Sequence, residues 1–204
     1  MPGGLISPNF VAIDPSGNSW IANTGNAGGD TNTVVEYNPT TQTYLSGTSG
    51  YSVTNPFAIA FDHAGNAWIA SNVYRNDSLV ELNSAGALIG TFTGGGLNSP
   101  QDVAIDGDGN VWLVGGVATG GGGLSEFSPS GTPIAPSGYS LGGANENQAL
   151  AIDSSGNVWV SAFGGFGYGS CCSGGGFTES VGIAAPTVTP IAAAAANNTL
   201  GTEP

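Results

Sequence analysis

The chain has 204 residues and a mass of 20.0 kDa, the size of one domain that buries about 70% of its unfolded surface. Charged residues make up only 7% of it, against roughly 25% in ordinary soluble domains, and a single cation, Arg75, faces 14 carboxylates for a net charge of −13. This balance excludes binding to nucleic-acid phosphates and a basic patch for anionic membrane, while 36 Gly and 12 Pro exclude a helical bundle and favour short strands and tight turns.

In chain order, Met1-Pro-Gly-Gly carries no basic residue and no apolar stretch of the kind an export signal needs. A five-residue, mostly apolar run then follows Pro8 and ends at Asp14, and the pattern Asp-x-x-Gly-Asn-x-Trp continues through Gly17 and Asn18 to Trp20. The same string returns at Asp62, Gly65 and Trp68, at Asp106, Gly109 and Trp112, and at Asp153, Gly156 and Trp159. These are all four tryptophans of the chain, spaced 48, 44 and 47 residues apart. After each Trp comes a further strand-like segment centred on a glutamate: Glu36, Glu81, Glu126 and Glu179. A period near 45 residues with four short strands per unit is the signature of a β-propeller of four-stranded antiparallel blades. The units are expected at about 5–50, 51–96, 97–143 and 144–182, forming one domain, with residues 183–204 as a tail.

Each part of the repeat has a physical reason. The apolar run is that of an inner strand covered on both faces. Asp-x-x-Gly-Asn closes a hairpin, since the Asp side chain can accept from turn amides and Gly or Asn can take the positive φ such a loop demands. The Trp is expected to pack between blades. Eight of the 14 acids are repeat framework, and with no lysine the Glu set cannot be salt-bridged. It is expected to be solvated or hydrogen-bonded to neighbouring backbone, with metal binding as the remaining alternative.

The strings Pro-x-x-Val/Ile-Ala-Ile-Asp-x-x-Gly-Asn-x-Trp and Val-x-Glu-Phe-x-Pro-x-Gly resemble the repeats of bacterial NHL-type propellers related to streptogramin (virginiamycin B) lyase, over residues 5 to about 182. The resemblance implies six or seven blades and an exported protein. Four repeats therefore read either as a closed four-bladed ring or as the C-terminal part of a longer propeller. In the closing blade the outer strand is expected from Pro186 to Ile191 or from Met1 to Ser7. An incomplete ring would expose apolar blade faces and self-associate.

In such a blade the stereotyped Asp turns lie on one face and the variable loops on the other, where binding residues are expected. Candidates for a ligand rim there are Asn9, Phe57, Gln101, Asp102, Asn147 and Gln148 at the starts of the inner strands, and Tyr74, Arg75, Phe163, Phe166 and Tyr168 in the loops. Cys171 and Cys172 are adjacent, so they are free thiols, a vicinal disulfide or a link to another chain, and a solvent-facing loop role is expected.

Catalytic chemistry is thin. The resemblance implies a Mg²⁺-assisted lyase using His and Glu, but the only histidine, His63, falls in a scaffold turn, which leaves Asp102 or Glu146 as the candidate base. Asp106, Asp108 and Asn110 copy the start of an EF-hand loop, yet the twelfth position is Val117 and Gly109 stands at position four. The glycine runs at 120–123 and 174–176 lack the Gly-Lys-Ser/Thr of a phosphate cradle. The apolar stretch 182–196 is short of a membrane span and interrupted by Pro186 and Pro190.

The sequence thus reads as an extracellular or cell-envelope propeller without a dedicated cofactor or metal, binding divalent cations at most weakly through its overall charge. Its expected role is non-catalytic binding of a protein, small-molecule or carbohydrate partner. A lyase-like or lactonase-like enzyme on the same frame, and a fragment of a longer propeller, are the alternatives.

Overall fold

The computed structural model describes residues 5–25, 32–73, 75–116, 123–141, 147–162, 166–167, 170–171 and 176–187. They form strands and turns, with no helix among them. The first blade holds β1 (Pro8–Ile13), β2 (Ser19–Asn23), β3 (Thr33–Asn38) and β4 (Thr43–Tyr44), with β5 (Tyr51–Ser52) also paired to β3. The second runs β6 (Pro56–Phe61), β7 (Ala67–Ser71), β8 (Ser78–Leu82) and β9 (Leu88–Phe92). The third runs β10 (Pro100–Ile105), β11 (Val111–Gly115), β12 (Gly123–Phe127) and β13 (Tyr139–Ser140). In the fourth, β14 (Asn147–Ile152) and β15 (Val158–Ala162) are followed by a small hairpin, β16 (Phe166–Gly167) with β17 (Ser170–Cys171), and then by β18 (Gly176–Ser180), which pairs with β15. Every described pairing is antiparallel, and the chain is an all-β propeller-type array.

The blades stand in a row. β6 packs against β1 and β10, and β10 packs against β14. Three apolar clusters fill the gaps, each built on one tryptophan. Trp20, Ala22 and Val34 meet Ile59, Ile69 and Leu82 of the second blade; Trp68 and Leu79 meet Val103, Leu113 and Phe127; Trp112 and Leu124 meet Leu150, Ile152 and Val160. Trp20, Trp68 and Trp112 are fully buried. Each then contributes on the order of 4–6 kcal/mol by area. An aromatic ring from an outer strand of the same blade covers each indole: Tyr51 of β5 on Trp20, Phe92 of β9 on Trp68 and Tyr139 of β13 on Trp112, with centroids 5.3–5.6 Å apart.

The Asp turns are as expected and more tightly bonded. In the first, Asp14 Oδ1 accepts the amides of Ser16 and Asn18 at 2.8 Å, and Oδ2 accepts the Trp20 indole N–H at 3.1 Å. Gly17 takes a φ of 83°. The three features repeat at Asp62, Asp106 and Asp153, with Gly65, Gly109 and Gly156 in the same left-handed conformation.

The strand glutamates depart from expectation. Glu36, Glu81 and Glu126 are buried, and their carboxylates are held by side chains and not by backbone. Asn18 Nδ2 donates to Glu36 and Asn66 Nδ2 to Glu81, while Tyr51 and Tyr139 donate their hydroxyls to Glu36 and Glu126. The reason is register: each Glu stands directly opposite the blade's Trp, Trp20 to Glu36 and Trp68 to Glu81, and so shares its inter-blade gap. Burial raises all three carboxyls above the ordinary range, with the amide or phenol donors opposing it. The hydrogen bond to Glu126 pushes the Tyr139 phenol up to about 12. Glu179 of the last blade is exposed instead.

Candidate functional site

At the loop-face end of every inner strand the ladder skips one residue. The register shifts between Pro8 and Phe10, Pro56 and Ala58, Pro100 and Asp102, and Asn147 and Ala149. The residue left over in these four β-bulges is Asn9, Phe57, Gln101 or Gln148. A bulge releases its side chain from cross-strand pairing and re-aims it. The frame is thus identical in each repeat while the side chain it presents differs. Asn9 and Gln148 are exposed, and Phe57 and Gln101 are half-buried.

The backbone leading into these strands is pinned. Asn55 and Ser99 adopt φ of 46° and 49° immediately before Pro56 and Pro100. Asn55 donates its side-chain amide to the Asn72 carbonyl, Ser71 Oγ donates to the Thr54 carbonyl at 2.6 Å, and the Ser99 amide donates to Asp77 Oδ2 at 2.8 Å. In the first blade the amides of Ile6 and Ser7 donate to Asn23 Oδ1 at 3.0 Å each.

Two further rim candidates are structural as well as polar. Asp102 Oδ2 accepts the Leu150 amide at 2.9 Å and Oδ1 accepts the Val103 amide at 2.9 Å, so its carboxylate ties the third blade to the fourth. Burial raises its pKa, against those two bonds. Asn147 is fully buried and donates Nδ2 to the Gly115 carbonyl at 3.1 Å, leaving its Oδ1 without a hydrogen-bond partner. Arg75 lies exposed in the β7–β8 loop with φ 65°. Tyr74, Phe163, Tyr168, Cys172 and Glu146 lie outside the described residues, and Phe166 and Cys171 are described as strand backbone only.

The opposite face holds a feature that the sequence reading left out. An open cleft of about 520 Å³ is lined by Pro15, Phe61, Asp62, His63, Ile105, Asp106, Gly107, Pro186 and Thr187. Its tail wall is a strap: the Ala185 amide donates to Asp106 Oδ2 at 3.1 Å, Gly107 N donates to the Ala185 carbonyl at 3.2 Å, and Ala184 N donates to the Gly156 carbonyl at 3.1 Å. Residues 184–187 therefore lie across the Asp turns of the third and fourth blades. His63, placed by sequence in a scaffold turn, is exposed at the edge of this cleft. A lone histidine beside two turn aspartates gave the sequence reading no sign of it, because the cleft is made by a strap 79 residues away from Asp106.

Chemically, the rim offers amides, one aromatic ring and a carboxylate of raised pKa, a set that donates and accepts hydrogen bonds to neutral groups. Among the described residues no three His, Cys, Asp or Glu side chains stand together as metal ligands.

Comparison of the sequence with models of known families gives no match, and neither does comparison with curated proteins. Solved structures do match. The fold is similar to a luciferin-regenerating enzyme, at TM-score 0.62 and 13% identity over 87% of this chain and 62% of that one. It is similar to a gluconolactonase from Xanthomonas campestris, at TM-score 0.61 and 14% identity over 78% of this chain and 55% of that one. It is also similar to the virginiamycin B lyase from Staphylococcus aureus crystallised with quinupristin, at TM-score 0.60 and 12% identity over 88% of this chain and 57% of that one. The chain spans between half and two thirds of the length of these structures. The likeness to streptogramin lyases read from the repeats is thus met in the fold: the chain has the architecture of a β-propeller shared with these proteins.

Proposed function

We propose that the chain is a non-catalytic propeller module that binds an uncharged, hydroxyl-rich ligand such as a carbohydrate at the rim of bulged residues. The observation that carries this reading is the fourfold bulge, which presents Asn9, Phe57, Gln101 and Gln148 from one end of adjacent inner strands. Amides pair with hydroxyls as donor and acceptor at once, an aromatic ring covers the apolar face of a sugar, and the absence of lysine suits a neutral ligand. The framework acids support a binding role, since the carboxylates of Asp14, Asp62, Asp106 and Asp153 are engaged in turn hydrogen bonds. The acidic, cation-poor composition supports placement outside the cytoplasm. The test is a glycan array followed by calorimetry with any hit. Phe57→Ala and Gln101→Ala should each weaken binding about tenfold, as expected for loss of one good contact, with the fold retained and the thermal midpoint lowered only slightly, more for the half-buried Phe57 ring. Wild-type affinity in both variants would sink the rim.

A second reading is a lyase-like or lactonase-like enzyme on the same frame. It is favoured by the activities that the structurally similar proteins are named for and by Asp102, a half-buried carboxylate of raised pKa beside the rim. Turnover of a sugar lactone or a streptogramin B depsipeptide, lost in Asp102→Asn, would install this reading in place of the first.

A further inference from the structure

The three internal gaps between blades are copies of one interface. The leading face of each later blade offers two inner-strand residues before its Asp: Ile59 and Phe61, Val103 and Ile105, Leu150 and Ile152. The trailing face of each earlier blade offers its Trp and the residue two before the strand Glu: Val34, Leu79 or Leu124. At these positions Ile59, Val103 and Leu150 are 2%, 5% and 9% exposed, and Val34, Leu79 and Leu124 are 0%, 0% and 1% exposed.

Both ends of the row carry the same residues uncovered. On the leading face of the first blade Val11 and Ile13 stand at 59% and 60% exposure. On the trailing face of the fourth, Phe177 occupies the position of Val34, Leu79 and Leu124 and is 75% exposed. Beside it Trp159 is only half-buried, with Phe177 5.9 Å away as its aromatic neighbour, and Ala149, Ala151 and Glu179 are exposed. Large apolar residues clustered on an otherwise Ser- and Thr-rich surface mark an interface.

We infer that these two faces are the halves of an intermolecular blade-to-blade contact, through which a second copy of this chain docks head to tail, Val11 and Ile13 of one copy against Trp159 and Phe177 of the other. The occupant is a second copy because the contact continues an interface the chain already makes three times, and the chain itself carries both complementary halves. The contact joins unlike faces, so it is heterologous and closes a ring of two or extends further. It does not depend on the rim or its ligand.

The test is light-scattering mass on a sizing column, from micromolar to millimolar chain, for the wild type, for Phe177→Asp and for the double substitution Val11→Asp with Ile13→Asp. The wild type should exceed the 20.0 kDa of one chain as concentration rises, and each variant should stay at 20.0 kDa. Mixing the two variants should restore a species of twice that mass, because each retains the face the other lacks. Both positions are exposed, so thermal midpoints should be unchanged; where aspartate lowers them, Phe177→Ser and Val11→Thr replace the harsher changes. A wild type at 20.0 kDa throughout, association that survives in both variants, or a mixture that stays at single-chain mass would each overturn the inference.

Discussion

Asn18 bridges Asp14 and Glu36: its Nδ2 lies 3.0 Å from Asp14 Oδ2 and 3.0 Å from Glu36 Oε1, so one amide group donates to two carboxylates that would otherwise face each other. Asn18→Ala removes that donor and leaves two acids in a buried gap. The expected loss is about 2–3 kcal/mol at neutral pH, in the range for hydrogen bonds to charged groups. Urea denaturation checks it, and the loss should shrink in acid, where Glu36 carries its proton.

Stability should fall as pH rises from the ordinary glutamate value of 4.5 through the raised values of the folded chain. Burial raises Glu36, Glu81 and Glu126 above their ordinary value of 4.5, so the folded chain holds protons that the unfolded chain has released. Their contribution is fully present below 4.5 and is lost as pH climbs through the raised folded values. Asp153 acts oppositely: the Trp159 indole and the Asn157 amide hold it below the usual range, so its contribution is present above that range and lost as pH falls. Thermal midpoints measured across pH should therefore peak near the ordinary carboxylate values, and Glu36→Gln should flatten the limb above that peak.

Trp112→Phe should cost about 1–3 kcal/mol, because it deprives Asp106 Oδ2 of a donor at 3.0 Å inside the core. Trp159→Phe removes the equivalent bond to Asp153, also 3.0 Å, but on a half-buried ring. The second change should cost visibly less. Denaturant midpoints of the two variants, compared side by side, decide it.

Two glycines separate backbone strain from collision. Gly17 has a φ of 83° and open space around the place a Cβ would occupy, so Gly17→Ala should cost about 1–2 kcal/mol through the left-handed conformation alone. Gly107 has no such φ, yet a Cβ there would overlap the Pro186 carbonyl. Gly107→Ala should release the strap without unfolding the blades, read as faster amide exchange at Ala184 and Ala185 and a small change in thermal midpoint.

The blade frame was legible in the sequence because its parts are local. Asp14, Gly17 and Trp20 sit within seven residues, and the turn chemistry that joins them needs nothing from elsewhere in the chain. The fate of Glu36 was not legible in the same way. Its burial depends on facing Trp20 across the ladder and on Tyr51 arriving from β5, and neither is visible in the residues around it. The variability of Asn9, Phe57, Gln101 and Gln148 at matching places marks the rim positions in the sequence, but the bulge that offsets them from the ladder is a mismatch between two strands, and one strand read alone does not display it. The strap and its cleft join Ala185 to Asp106, and the turn motif around Asp106 carries no mark of the tail that reaches it from 79 residues away.

Regular pairing resumes one residue after each bulge, at Phe10, Ala58, Asp102 and Ala149. A side chain exchanged at positions 9, 57, 101 or 148 therefore leaves the hydrogen-bond ladder around it intact. In the proposed binding role the four sites would act as letters of a short code written on a fixed page, rewritten one at a time by point mutation or by transplanting a single repeat while the sentence structure stays the same.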